Sequence, residues 1–135
     1  MTVDEWARAV YFRASEFDSS DAPGSGFSAI QWGLVSKLDE LRAEWGKPMR
    51  ITSGFRTLAH NAAVGGKPNS AHLRGLAADI HTGGLTDALR LAILAAQHGF
   101  ERIGIDLKGG FIHLDVDTSL PSPATWFYGS GGGDA

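Results

Sequence analysis

The 135-residue sequence contains no cysteine. That excludes disulfides and thiolate zinc sites, so any metal must be held by histidine and carboxylate. The chain also lacks a basic excess: 12 Lys and Arg against 15 Asp and Glu leave a formal net charge of −3. No basic stripe is visible, and no nucleic-acid partner is expected. Long apolar runs are missing too. The longest, around Leu91 to Ala96, is far too short to span a bilayer, so no membrane insertion is expected. The N-terminal MTVDEWARAV carries acids where a secretory signal carries bases, which predicts a chain that is cytoplasmic when made unless something else releases it. The length fits one domain with a real core, and the mixed charge and near-average apolar fraction are those of a globular protein.

Along the chain, a first helix is predicted from Val3 to about Arg13, followed by a surface loop in ASEFDSSDAPGSGFS. From Ser28, read as an N-cap, Ile30, Leu34, Leu38, Leu41 and Trp45 recur at helical spacing until Gly46 and Pro48 stop the helix. MRITS alternates as a short strand. GFRTLAHNAAVGGKPNS reads as a turn, a short helix and a Gly-Pro loop. LAADIH reads as a second strand, with Ala78 and Ile80 facing one way and Asp79 and His81 the other. Thr86 is expected to cap a buried helix that runs to His98 and closes at Gly99. RIGIDLKGGFIHLDV reads as a hairpin around Lys108, Gly109 and Gly110, with Phe111, His113 and Asp115 on the face opposite Ile112, Leu114 and Val116. This order predicts an α+β domain with a small, largely antiparallel sheet and flanking helices. The domain is expected to span residues 1–128 as a single unit, with residues 129–135 expected to form a flexible Gly-rich tail.

Three separated residues offer a metal site. His72, Asp79 and His113 supply two imidazoles and a carboxylate, a set that zinc accepts while keeping a fourth position for water. Asp79 and His113 both lie on polar strand faces, and adjacent strands about 5 Å apart bring such side chains within reach of one ion. His72 would enter from the preceding loop, with Gly75 permitting the close turn. Such residues are common, however, and spacing alone leaves open that they are ordinary polar residues. His60 and His98 read as surface or packing residues on helices. His81 shares a face with Asp79 and is either an exposed strand residue or a group supporting the site.

The segment ITSGFRTLAHNAAVGGKPNSAHLRGLAADI, followed by FIHLDVD, resembles the zinc D-Ala-D-Ala peptidases. Their signature is Ser-x-His-x-x-Gly-x-Ala-x-Asp with a later strand histidine. It is matched here from Ser70 to Asp79 and at His113, with Ser-Gly-Phe-Arg at Ser53 to Arg56. The likeness extends weakly upstream and is closest to small members from bacteria and tailed phages. It implies a hedgehog/D-Ala-D-Ala peptidase-like fold, a Zn2+ cofactor held by His72, Asp79 and His113, and hydrolysis of amide bonds in peptidoglycan stem peptides. Arg56 would hold a substrate carboxylate or the developing oxyanion, and Ser70 would bond the peptide end or a neighbouring ligand, or simply cap the turn at AHLR.

The chain departs from the family where the general base is expected. Relatives carry an acid three residues before the last ligand, or a histidine two before it, and those positions here are Gly110 and Phe111. Asp106, across the hairpin turn, is the first candidate for the missing base, with Glu16 and His81 in reserve; Asp115 is expected to orient His113. The gap sustains two alternatives to a carboxypeptidase or endolysin-type enzyme: a zinc-binding, catalytically weak recognition or structural module, or a metal-free binding domain. A phage particle or a holin-dependent release is the setting the resemblance suggests.

Overall fold

Leu34, Val35, Leu38 and Leu41 line one side of helix α3 (Trp32–Trp45) and are fully buried, as the helical spacing predicts. They belong to one apolar cluster that includes Ala88, Leu91 and Ala95 of helix α5 (Leu85–Gln97), which follows the short helix α4 (Leu58–Ala63), and residues from a five-stranded sheet. In the computed structural model, which describes residues 1–129, the strands are β1 (Ile51–Ser53), β2 (Ala77–His81), β3 (Arg102–Asp106), β4 (Phe111–Asp115) and β5 (Ala124–Phe127). Their spatial order is β1-β2-β4-β3-β5, with three antiparallel pairings and one parallel pairing between β3 and β5. The α+β class and the largely antiparallel sheet agree with the sequence.

Alternation along the strands gives the sheet two unlike faces. Ala78, Ile80, Ile103, Ile105, Ile112 and Leu114 enter the apolar cluster. On the opposite face, one rung crosses all five strands as Ser53, Asp79, His113, Gly104 and Trp126. A neighbouring rung pairs Ala77, Asp115, Arg102 and Ala124.

Several boundaries differ from the sequence reading, each for a traceable reason. Helix α1 (Val3–Arg8) ends well before Arg13, because the Asp39 carboxylate accepts the backbone N–H groups of Val10 and Tyr11 at 2.8 and 3.0 Å. The supposed surface loop holds a 3-10 turn at Ala14–Phe17, with Phe17 fully buried, and the short helix α2 (Ser25–Ala29). Ser28 lies inside α2 and does not cap α3. The chain is extended at Ile30 and Gln31, where Gln31 N–H donates to the Gly75 carbonyl at 3.0 Å. Gly84, not Thr86, precedes α5, and that helix leaves Leu85, Leu89 and Ile93 exposed, so it is only half buried. Strand β5 is absent from the sequence reading altogether. Apart from Gly129, the predicted tail lies outside the described residues.

Candidate metal centre

Asp79 and His113 face each other across the β2–β4 ladder. His72 arrives from a 3-10 turn, Ala71–Arg74, which Ser70 caps by accepting the His72 N–H at 3.2 Å. The turn ends at Gly75 with φ of +68°, where a Cβ would come within 1.9 Å of the Ala29 carbonyl oxygen. Only glycine fits that position, since both the left-handed backbone and the contact exclude a side chain. One ligand atom from each of His72, Asp79 and His113 lies within 4.8 Å of the others, and all three residues are buried. The imidazole centroids stand 5.0 Å apart.

The hydrogen bonds fix which nitrogens face the centre. His72 Nδ1 is 2.7 Å from the Gly54 carbonyl, which can only accept, so Nδ1 carries the proton and Nε2 presents a lone pair. His113 Nε2 is 2.7 Å from Asp115 Oδ2, which leaves Nδ1 as that ring's lone-pair atom. Both lone pairs then converge on one oxygen, Asp79 Oδ1, at 3.2 and 3.0 Å. Three acceptors facing each other without water repel unless a cation or protons lie between them. Two imidazoles and a carboxylate, each ring held by a hydrogen bond from its far nitrogen, form the donor set zinc takes in sites that keep a fourth position open.

The electrostatics point the same way. Burial alone would raise the Asp79 carboxyl, but His72 and His113 outweigh it and hold the group far below its ordinary range. Burial pushes the His72 imidazole down despite Asp79 beside it. For His113, burial acts downward too, but hydrogen bonds to Asp115 and Asp79 prevail and the net shift is upward.

Arg56, only 3% exposed, lies behind Asp79 and donates to its Oδ2 at 3.3 Å, with further bonds to Ser53 Oγ at 3.0 Å and Asn61 Oδ1 at 3.3 Å. Burial lowers the Arg56 pKa and Asp79 opposes that, so the guanidinium stays charged. Asp115 accepts Arg102 Nε at 2.9 Å as well as His113, so a second buried ion pair supports the second imidazole.

The structure thus gathers His72, Asp79, His113, Arg56, Ser70 and Asp115. Asp106 shares their sheet face but sits at the strand end, and its Oδ1 accepts the Gly109 N–H at 2.6 Å. His81 is exposed at the end of β2, and Glu16 caps its own turn by accepting Arg13 N–H at 2.8 Å. Sequence reasoning passed over Asn61 and Arg102, which hold charged groups, and named Ser53 in the motif without giving it the role of acceptor for Arg56. It also passed over Trp126, whose ring lies 5.4 Å from His113. Arg102 had a local signal, since it alternates with Gly104 and Asp106 onto the polar face; Trp126 had none.

A family model described as Peptidase M15 matches residues 7–115. The chain belongs to the Peptidase M15 family. Over 68 residues it is 41% identical to the zinc D-Ala-D-Ala carboxypeptidase of Streptomyces albus G, a match covering 50% of this chain and 26% of that protein. The chain therefore spans about a quarter of that relative's length. All three candidate ligands of this Peptidase M15 chain lie within the matched residues, whereas β5 and its Trp126 follow them.

Proposed function

We propose that the chain is a zinc-dependent peptidase that hydrolyses amide bonds in the stem peptides of bacterial peptidoglycan. The observation that carries this reading is the convergence of two imidazole lone pairs on one Asp79 oxygen, each ring fixed by a proton acceptor on its far side. His72, Asp79 and His113 would hold zinc, which when bound supplies a Lewis acid for the scissile carbonyl and a water acidic enough to ionise near neutral pH. The relative's printed substrate, D-Ala-D-Ala, supports a bond of that class.

The remaining steps fall to the chain's own groups. Arg56 holds the Asp79 carboxylate ionised and oriented and offers positive charge to a substrate carboxylate or to the oxyanion that develops. Ser70 fixes the turn that presents His72. Asp106 is our proton carrier, taking a proton from the attacking water and returning it to the leaving amine. Its rung is next to that of His113 on the same face, about 7 Å along the strands. A Cβ at Gly109 would meet the Asp106 carboxyl at 2.8 Å, so the turn keeps that space clear.

A second reading, a zinc-binding recognition module with weak turnover, is favoured by one observation: the Asp106 carboxylate is already engaged by the Gly109 N–H. The decisive experiment is release of free amines from purified peptidoglycan by the zinc-loaded protein, before and after chelation, alongside Asp106→Asn. The peptidase reading expects chelator-sensitive release that falls by about 10²- to 10⁴-fold in the variant with zinc retained. Stoichiometric zinc without amine release establishes the recognition module instead.

A further inference from the structure

A cleft of about 480 Å³ opens beside the metal centre between the loop carrying Lys67 and Asn69 and the strand β5, with Arg102, Trp126 and Tyr128 among its walls. Its size is that of a small-molecule or peptide-side-chain site. One of its walls packs against a candidate ligand. Trp126 packs its ring 5.4 Å from His113 and stands in the same rung of the sheet, and Tyr128 packs against Trp126 with ring centroids 6.2 Å apart. Gly104 makes this possible, because a Cβ there would meet Trp126 Nε1 at 2.5 Å. The β5 wall follows the residues matched by the family model.

We propose that this cleft is a subsite for a carboxylate-bearing residue of the bound peptide, with Lys67 as the charge that reads it. The inference rests on the peptidase reading above and adds a specificity element to it.

The charge pattern selects the ligand. Two cations, Lys67 and Arg102, line the cleft and no acid does, in a chain whose net charge is negative. Arg102 is already satisfied by Asp115 and by the Pro121 carbonyl at 2.7 Å. The Lys67 ammonium is exposed and makes no hydrogen bond or ion pair among the described residues, so it is the charge left for a ligand. Its backbone is anchored all the same: the Lys67 carbonyl accepts from Asn61 Nδ2 at 2.9 Å and from the Ser70 N–H at 3.0 Å. The anchor is thus shared with Arg56, through Asn61, and with the His72 turn, through Ser70. A sugar ring is a poorer occupant, since the guanidinium of Arg102 already covers Trp126 at 5.0 Å.

The test is calorimetric titration of the zinc-loaded protein with two acetylated peptides. One carries a D-glutamate with a free α-carboxylate; its twin carries the carboxamide. Wild type is expected to prefer the carboxylate by about two- to fivefold, the size of one exposed charge-assisted contact. Lys67→Ala should abolish that preference. It should also vanish as ionic strength rises from about 0.01 to about 1 M, because the Debye length shrinks from roughly 30 to roughly 3 Å. Lys67 is a surface side chain, so the variant folds. Equal affinity for the two peptides, a preference that survives Lys67→Ala, no binding of either, or tighter binding of tri-N-acetylchitotriose would each overturn the proposal. Cleavage assays on the same peptides separate the two claims: a Lys67-dependent preference without cleavage keeps the subsite and removes the peptidase.

Discussion

The two faces of the sheet are made by the same five strands, yet they are ordered by different physics. On the helix side, isoleucine, leucine and alanine from β2, β3 and β4 meet α3 and α5, and no individual contact is indispensable to the pattern. On the site side, burial is just as complete at His72, His113 and Asp115, but there each polar atom depends on a named partner. The first face tolerates exchange of similar side chains at modest cost. The second does not, because a buried charge or lone pair without its partner costs more than the interaction itself gains.

The sharpest test of this contrast is Arg56→Ala. Zinc affinity should fall about 10- to 100-fold as Asp79 loses its guanidinium partner, and turnover on cell-wall peptide at saturating zinc should fall about a hundred- to a thousandfold, the range for losing a group that stabilises an oxyanion. Unchanged turnover would remove Arg56 from the chemistry. The matching change on the apolar face is Leu38→Ala. It should lower unfolding stability by about 2–5 kcal/mol in denaturant titration and leave zinc content unchanged well below the melting temperature. A loss of zinc in the folded variant would mean that the faces are not separable.

Asp115→Asn should have a smaller effect. The carboxylate that orients His113 and neutralises Arg102 becomes an amide, and zinc affinity is expected to fall about 10- to 100-fold in a competition titration. The smallest effect is on acid stability in the chelated protein. Asp79 is held far below its ordinary value of 3.8, so its contribution is complete above that pH and is lost as the pH falls beneath it. His72, held below its ordinary 6.5, likewise loses its contribution as pH falls under 6.5, whereas the raised His113 loses its own as pH rises above it; these two oppose each other. The melting temperature should therefore drop most steeply below about pH 4, and Asp79→Asn should flatten that limb.

What could be read in the sequence follows the same division. The period of α3, the alternation in LAADIH and the hairpin at Lys108 to Gly110 are local patterns, and they located the apolar face and the strand faces of Asp79 and His113. The features that were not legible depend on distant bonds. Asp39 ends α1 from 29 residues away, and the Gly75 carbonyl sets where α3 begins. Strand β5 forms by parallel pairing with β3, which the four residues Ala124–Phe127 do not announce by themselves. For the same reason the ligand residues were nameable from a motif, but the bonds that make them a site were not: the motif contained Ser53 and Gly54 without showing that they hold Arg56 and His72, and Asn61 and Arg102 were passed over.

The most direct measurement of the central claim is the zinc stoichiometry of the wild type, His72→Ala and His113→Ala by equilibrium dialysis followed by elemental analysis, with folding checked by circular dichroism. Converging lone pairs at a three-residue site predict one zinc per wild-type chain and none in either folded variant. Zinc retained in full by both variants, or absent from the folded wild type, would contradict the account.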